Sequence, residues 1–301
     1  MNESESAPLI RRIEALSTPL LPQATGVTPR LPRLEGIRVL VFDIYGTLLI
    51  SASGDIGLGG DRNETQAFAA ALQAAGLKLE NPEQLEHGPL LLKEVIREHH
   101  RERRAEGVEY PEVDILAVWS RVLERLGLSL DTAALQSLAV EYECRVNPVW
   151  PMPGLAQLLS GLRRAGLRMG IVSNAQFCTP LMIQALLGKH PYELGFTPEY
   201  CAWSHRLLEA KPSTRLYEQC LAALAEREGI APREVLYVGN DQLKDIWPAS
   251  ASGCRTALFA GDARSLRLRE DDQRCNGVTP DAVVTELSQL GELLAVRLEP
   301  E

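Results

Sequence analysis

Asp43 follows the apolar run at residues 37–42 and opens Asp-Ile-Tyr-Gly-Thr. A short β-branched run of this kind predicts a buried strand of a parallel sheet. A carboxylate just past it would project from the carboxyl edge of the sheet, where open α/β folds place their chemistry. Gly46 permits a tight turn there, and Thr47 sets a hydroxyl beside the carboxylate. A second apolar run, 235–238, leads into Gly-Asn-Asp241-Gln-Leu-Lys-Asp245. Two more acids just past a strand end are costly unless a cation or donors neutralise them. Between these stretches lie Ser173-Asn174, directly after the strand-like run 167–172, and Lys211 in Glu-Ala-Lys-Pro. Singly, each has a plain reading as a turn, a cap or a solvated lysine. Jointly they offer a carboxylate, a cation, hydroxyl and amide donors, and two further acids that call for a cation or donors.

In order and type the four stretches resemble the motifs of the haloacid dehalogenase (HAD) superfamily, over about residues 37–290. The resemblance implies an α/β fold, a Rossmann-like parallel sheet with helices on both faces, plus an all-helical cap. It implies a Mg²⁺-dependent hydrolase of phosphatase type, acting on a small phosphorylated metabolite through an aspartyl-phosphate on Asp43. Attack of Asp43 on a phosphoryl group is anion meeting anion, and a hard cation neutralises both. By the same resemblance Mg²⁺ is held by Asp43, the backbone carbonyl of Tyr45 and Asp241, with Asp245 behind them holding a water or Lys211. Lys211 screens Asp43, and Thr47, Ser173 and Asn174 stabilise the transferring oxygens.

Tyr45 departs from the pattern. Phosphatases of this superfamily carry an Asp two residues after the nucleophile, which protonates the leaving group and later activates water. A phenol with a reference pKa of about 10 is a poor base near neutral pH. Asp-x-Tyr-Gly-Thr is instead similar to the form in L-2-haloacid dehalogenases, whose Asp attacks carbon without metal and whose halide leaves without a proton. Against that alternative stand the two acids Asp241 and Asp245, and the position of Arg62, farther along than the halide-receiving Arg of that group. A third alternative is a catalytically weak binding or regulatory protein on the same fold. Asp55, in the loop after the first motif, is a candidate for the missing acid.

These residues need elements to position them. Residues 1–36 hold five prolines and little periodicity, and read as an N-terminal extension that wraps the surface or is disordered. Residues 37–50 and 151–301 alternate strand and helix and form the expected core. Residues 51–150 form the expected cap: a Gly/Ser-rich loop, then helices from Asn63 as cap, over about 89–105, 111–126 and 131–146. In the core the pattern predicts helices at about 154–165, 180–188, 212–227 (with Pro212 as first residue) and 242–252. Strands are expected at 167–172, 200–203, 235–238, 255–259 and 282–284. Inside the cap, Lys93, Arg97, His99, His100, Arg101, Arg103 and Arg104 form a basic segment. Its plain reading is a solvated face balanced by Glu94, Glu98 and Glu102. Its functional reading is that one or two of them meet an anionic substrate.

The composition narrows the partners. The 301 residues are 45% hydrophobic and 24% charged, as in ordinary globular chains, with a net charge of −9. That charge argues against nucleic-acid or anionic-membrane partners, which need a basic footprint, and leaves a small anionic substrate open. No apolar run reaches the ~18 residues of a membrane span, and no signal-peptide pattern opens the chain. Six scattered cysteines without metal-ligand spacing read as reduced thiols of a cytoplasmic protein.

Overall fold

The computed structural model describes residues 3–53, 61–79 and 81–298. Its strands are β1 (Val39–Phe42), β2 (Leu49–Ser51), β3 (Val149–Pro151), β4 (Arg168–Ser173), β5 (Phe196–Trp203), β6 (Val235–Gly239), β7 (Arg255–Phe259) and β8 (Ala282–Val284). The helices are α1 (Glu3–Leu16), α2 (Asp61–Ala74), α3 (Pro82–Ala105), α4 (Ile115–Arg125), α5 (Thr132–Val146), α6 (Leu155–Arg164), α7 (Thr179–Leu187), α8 (Ser204–Leu207), α9 (Arg215–Glu228), α10 (Trp247–Ala251) and α11 (Gln289–Leu294). Among the described residues no helix is long and apolar enough to cross a membrane.

Six strands form one parallel sheet in the order β5-β4-β1-β6-β7-β8. β1 is central, and strand alternation divides its side chains between two cores. Leu40 and Phe42 join the face that α6, α7 and α11 cover, whereas Val39 and Val41 join Leu216, Tyr217 and Leu224 of α9 on the other. Burial on both faces explains why these strands are continuous apolar runs rather than alternating ones. The order reverses beside β1, because the chain passes from β1 to β4 on one side and later to β6 on the other. Such a switch point opens a crevice at the carboxyl ends of the strands, and Asp43 lies there.

Between β2 and β3 the chain makes the helical insertion α2–α5. Its own core is built on Phe68, Val95, Val118, Trp119, Val122 and Leu138. Trp119 packs edge-on against Tyr142, with ring centroids 5.2 Å apart. β2 and β3 pair antiparallel, with Ile50 opposite Trp150, so the chain leaves and re-enters the core through one two-stranded ribbon. Neither short strand stands out in the sequence.

Several expectations are corrected. The N-terminal segment is not wholly irregular. Its first part is α1, whose Leu9 and Ile13 are buried four residues apart on one face, as helical spacing requires. The Arg12 guanidinium reaches Glu141 of α5, at 2.5 Å from Nε and 2.7 Å from Nη2. The prolines of this segment hid that short amphipathic stretch. α2 begins at Asp61 rather than after Asn63, α3 begins at Pro82, and α4 begins after an Asp114 cap rather than at residue 111. Pro212 is not the first residue of a helix: α9 starts at Arg215, and Lys211-Pro212 belongs to a tight connection joined by a cis peptide bond. The expected helix at 242–252 divides into a wide turn over Gln242–Ile246 and the short α10. Asp55 lies outside the described residues, as does the side chain of Arg62.

Because Ile13 is fully buried beneath α1, Ile13→Ala should destabilise the protein by about 2–4 kcal/mol, through lost burial and the cavity left behind. Chemical denaturation measures this. A change below the error of such a measurement would mean that α1 is not part of the cooperative fold.

Candidate active site

Asp43 is 6% exposed at the end of β1. Gly46 turns the chain immediately after it with φ +84, and a Cβ there would lie 2.5 Å from Ser265 Cβ and 2.7 Å from Asn240 Nδ2. Only glycine fits that turn and that close approach. Thr47 Oγ1 donates to Asn240 Oδ1 at 3.0 Å, tying the loop after β1 to the loop after β6. The Thr47 hydroxyl is therefore engaged with a neighbouring loop.

Lys211 reaches the same point from the connection between α8 and α9. Its Nζ donates to Asp43 Oδ1 at 2.6 Å, to Asp245 Oδ1 at 2.5 Å and to the Tyr237 hydroxyl at 3.2 Å. Burial disfavours its charged form, but Asp245 and Asp43 outweigh burial and hold its pKa above the ordinary lysine value. Asn174 positions it: the Asn174 Oδ1 accepts the Lys211 backbone N–H at 2.7 Å. Ser173 is fully buried one residue earlier, at the end of β4. The side chain of Asn174 thus serves the lysine backbone as well as facing the cavity.

The loop after β6 supplies the remaining acids. A Cβ on Gly239 would sit 2.4 Å from Asp245 Cγ, so the absent side chain lets that carboxylate fold back onto the sheet end. Asp245 Oδ2 accepts the Asp241 N–H at 2.9 Å. Burial pushes the Asp245 carboxyl above its ordinary range; Lys211 opposes the shift, and Asp43 and Asp241 reinforce it. Asp241 has a different environment. Its Oδ1 accepts the Leu243 and Lys244 N–H groups at 2.8 and 3.1 Å, and Arg269 Nη2 donates to its Oδ2 at 2.6 Å. Burial raises its pKa, but Arg269 and the Lys244 N–H more than offset this, leaving the carboxyl below its usual value.

Tyr45 lies on the wall toward α7. Its hydroxyl is 2.8 Å from Thr179 Oγ1 and 3.5 Å from Met182 Sδ. Burial, then nearby Cys178 and Glu143, hold the phenol well above its ordinary pKa, so it stays neutral.

These groups floor a cavity of about 520 Å³ between the sheet end and the helical insertion. Of the expected site residues, Asp43, Tyr45, Asn174, Lys211, Asp241 and Asp245 line it. The sequence reading did not single out Glu112, Glu143, Gln176, Lys244, Ser265, Arg267 and Arg269. All but Arg269 line the cavity, and Arg269 reaches Asp241. Gln176 fastens the insertion to the core, donating to the Val113 carbonyl at 2.9 Å and accepting the Ile115 N–H at 3.0 Å. Arg267 and Arg269 arrive because the chain beyond β7 returns beside Asp241: Gln242 N donates to the Arg267 carbonyl at 2.8 Å, and Arg267 N to that of Asn240 at 3.0 Å. The only sequence signal was an Arg-Leu-Arg run with no helical or strand period of its own. Ser265 Oγ, buried at the wall, has no hydrogen-bond partner among the described residues.

Comparison with known proteins matches residues 37–253 to the family model of haloacid dehalogenase-like hydrolases. A phosphoglycolate phosphatase of Xylella fastidiosa is 33% identical over 150 residues, 45% of this chain and 57% of that protein. This match spans little more than half of that relative's length. An N-acetylmuramic acid 6-phosphate phosphatase of Pseudomonas aeruginosa is 28% identical over 229 residues, 73% of this chain and 80% of that protein. A solved 2-haloacid dehalogenase of Pseudomonas syringae is similar in fold, with a TM-score of 0.55 at 22% identity, covering 86% of this chain and 98% of that one.

Glu143 generates a prediction about pH. Burial raises its pKa from the ordinary value of 4.5, and the Asn147 amide opposes the shift only in part. A carboxyl raised in the folded state stabilises fully below its unfolded pKa and loses that contribution as pH rises through the folded value. Glu143→Gln stays neutral throughout. Its melting temperature should therefore gain on wild type as pH rises from about 4.5 toward neutral and above. Parallel melting curves across that range would show that Glu143 does not resist ionisation.

Proposed function

The chain belongs to the haloacid dehalogenase-like hydrolases, and from that premise we propose that it is a phosphatase-type hydrolase using Asp43 as nucleophile on a small phosphate ester. The observation that carries this reading is the Lys211 ammonium held between Asp43 and Asp245 at the floor of the cavity. A carboxylate with one oxygen bound by a buried cation is oriented and screened from the charge of an incoming phosphoryl group. Ser173 ends the neighbouring strand, and its hydroxyl has only a long 3.4 Å contact with the Asn174 carbonyl. In this reading it would turn from that contact to a transferring oxygen, although it is not itself among the residues that line the cavity. The Asn174 amide contributes by fixing Lys211.

Magnesium belongs to this reading as the cofactor. The donor chemistry fits a hard cation: Asp43, Asp241 and the Tyr45 carbonyl are oxygens, and Mg²⁺ is commonly held by one or two carboxylates with water and substrate completing the shell. Three carboxylates, Asp43, Asp241 and Asp245, face the two cations Lys211 and Arg269, a formal surplus of negative charge. When bound, the ion would neutralise the phosphoryl oxygens. Arg269 is the group with which it would share Asp241. No three His, Cys, Asp or Glu side chains among the described residues form a ready metal cluster. The helices α2–α5 act as the cap in this reading, excluding water from the cavity.

One observation favours a second reading. Arg269 already neutralises Asp241, and Tyr45 stands where a phosphatase carries its acid. A metal-free attack on carbon, with halide leaving, needs neither the ion nor the proton. The two readings separate in a direct assay. Phosphate release from aryl phosphates that EDTA abolishes and Mg²⁺ restores supports the first; metal-independent chloride release from 2-chloropropionate supports the second. Asp43→Asn should abolish turnover under either reading while leaving the fold intact, since it removes the attacking anion at little change in size. Near wild-type turnover in that variant would remove Asp43 from the mechanism.

The engaged, neutral Tyr45 hydroxyl leads to a further expectation. Nitrophenolate and carboxylate leaving groups depart without a proton, so aryl and acyl phosphates should be hydrolysed faster than alkyl ones. A leaving-group series tests this. Equal rates would mean that another group in the cavity protonates the alkoxide.

A further inference from the structure

The seven basic side chains of the segment 93–104 in α3 divide into distinct groups. Lys93 pairs with Glu64 at 2.6 Å, Arg97 Nε donates to the Lys93 carbonyl at 3.2 Å, and Arg103 pairs with Glu106. His100 and Arg104 are the two that line the cavity above Asp43. They stand four residues apart and so share one face of the helix. Among the described residues the Arg104 guanidinium makes no hydrogen bond or ion pair, although acids abound on the surrounding helices. His100 Nε2 is shielded from solvent and likewise has no hydrogen-bond partner among the described residues. Arg104 is exposed to solvent, and the shielded His100 Nε2 beside it is open to a ligand that supplies an acceptor.

The cavity therefore has a chemical end, where Lys211 is answered by Asp43 and Asp245, and a second cation, Arg104, on the cap side, with Ile96, Val113 and Ile115 also among its lining residues. The volume of about 520 Å³ lies within the usual range for a small organic ligand. The acids facing the same space, Glu112 and Glu143, do not defeat this arrangement. Both are engaged by other donors: Glu112 Oε1 accepts the Val113 N–H at 2.9 Å and its Oε2 the Ser204 hydroxyl at 2.8 Å, and Glu143 Oε1 accepts the Asn147 amide at 3.3 Å.

We propose that His100 and Arg104 are the specificity-determining pair of this enzyme, receiving a carboxylate on the organic part of a small phosphate ester. This rests on the phosphatase reading and adds the substrate class. The charge at the cap end matches one carboxylate rather than a second phosphate. Burial, then the neighbouring Arg104 and His99, lower the pKa of His100, leaving Arg104 as the full positive charge. A planar guanidinium receives a carboxylate through two parallel hydrogen bonds.

The test uses aryl compounds, whose leaving groups need no proton. Binding of 4-carboxybenzylphosphonate and its neutral analogue 4-carbamoylbenzylphosphonate is measured by calorimetry, and hydrolysis of 4-carboxyphenyl, 4-carbamoylphenyl and 4-phosphonooxyphenyl phosphate by phosphate release. The wild type should bind and process the carboxylated member of each pair best. Arg104→Ala should weaken its Kd and raise its KM by about 10- to 100-fold, the value of a charge-assisted contact. It should leave kcat and the carbamoyl compounds nearly unchanged. His100→Ala should do the same to a smaller extent. Arg101→Ala, exposed on the same helix but not at the cavity, should change neither. Equal weakening of both compounds by Arg104→Ala, or no wild-type preference for the carboxylate, would overturn the proposal while hydrolysis of any aryl phosphate keeps the phosphatase reading. Preference for the bisphosphate would overturn it in favour of a second phosphate site. Absence of all aryl phosphate hydrolysis would overturn the phosphatase reading, and the proposal with it.

Discussion

A single buried ammonium holds two buried carboxylates that would otherwise repel one another. Lys211 is 5% exposed, Asp43 6% and Asp245 1%, so none of the three has water enough to replace its partner. Removing the lysine would cost about 3–5 kcal/mol, because the carboxylates would be left uncompensated, whereas without the Asp43 charge Lys211 still has Asp245. An exposed pair such as Arg33–Glu35 is worth at most about 1 kcal/mol. Much of the local architecture follows from keeping this cluster satisfied. Gly239 leaves room for the Asp245 carboxylate, Tyr237 offers its hydroxyl to the lysine, and Asn174 holds the lysine backbone. The cluster sits at the sheet's switch point, where strands on either side of β1 deliver their ends to one place.

The second constraint is the join between sheet and insertion. The β2–β3 ribbon carries the chain across, but further contacts hold the insertion over Asp43. Gln176 binds the backbone at Val113 and Ile115, Ser204 donates to Glu112, and the Ala210 N–H reaches the Tyr110 carbonyl at 2.7 Å. α1 braces the arrangement from behind, with Arg12 and Arg145 both on Glu141 of α5 and Ile13 in the core of the sheet domain. The cavity is thus walled by two cores joined by these polar contacts and by an apolar seam, since Val140 and Cys144 of α5 pack in the core of the sheet domain and Phe177 packs against both.

The sequence by itself determined the sheet and the location of the chemistry. Parallel strands buried on both faces must be continuous apolar runs, and such runs end at Phe42, Val172 and Val238, within three residues of Asp43, Asn174 and Asp241. Local order along the chain carries that information, because a strand's burial and the turn after it depend on adjacent residues. The helical character of the insertion was legible for the same reason, from the spacing of Val118, Trp119 and Val122. The N-terminal helix was obscured, since prolines around a short amphipathic stretch outweigh its weak period. Only the tertiary structure decided which cations answer which acids. Arg269 lies 28 residues beyond Asp241 and Glu143 lies 100 residues beyond Asp43 in the numbering, and no local pattern marks either as part of a site. Long-range packing also assigned Thr47 to Asn240 and Asn174 to the Lys211 backbone, and set His100 and Arg104, of the seven basic residues in 93–104, at the cavity. A side chain's chemical type is written in the sequence, but its partner is set by chain crossings that bring distant segments to the same few ångströms.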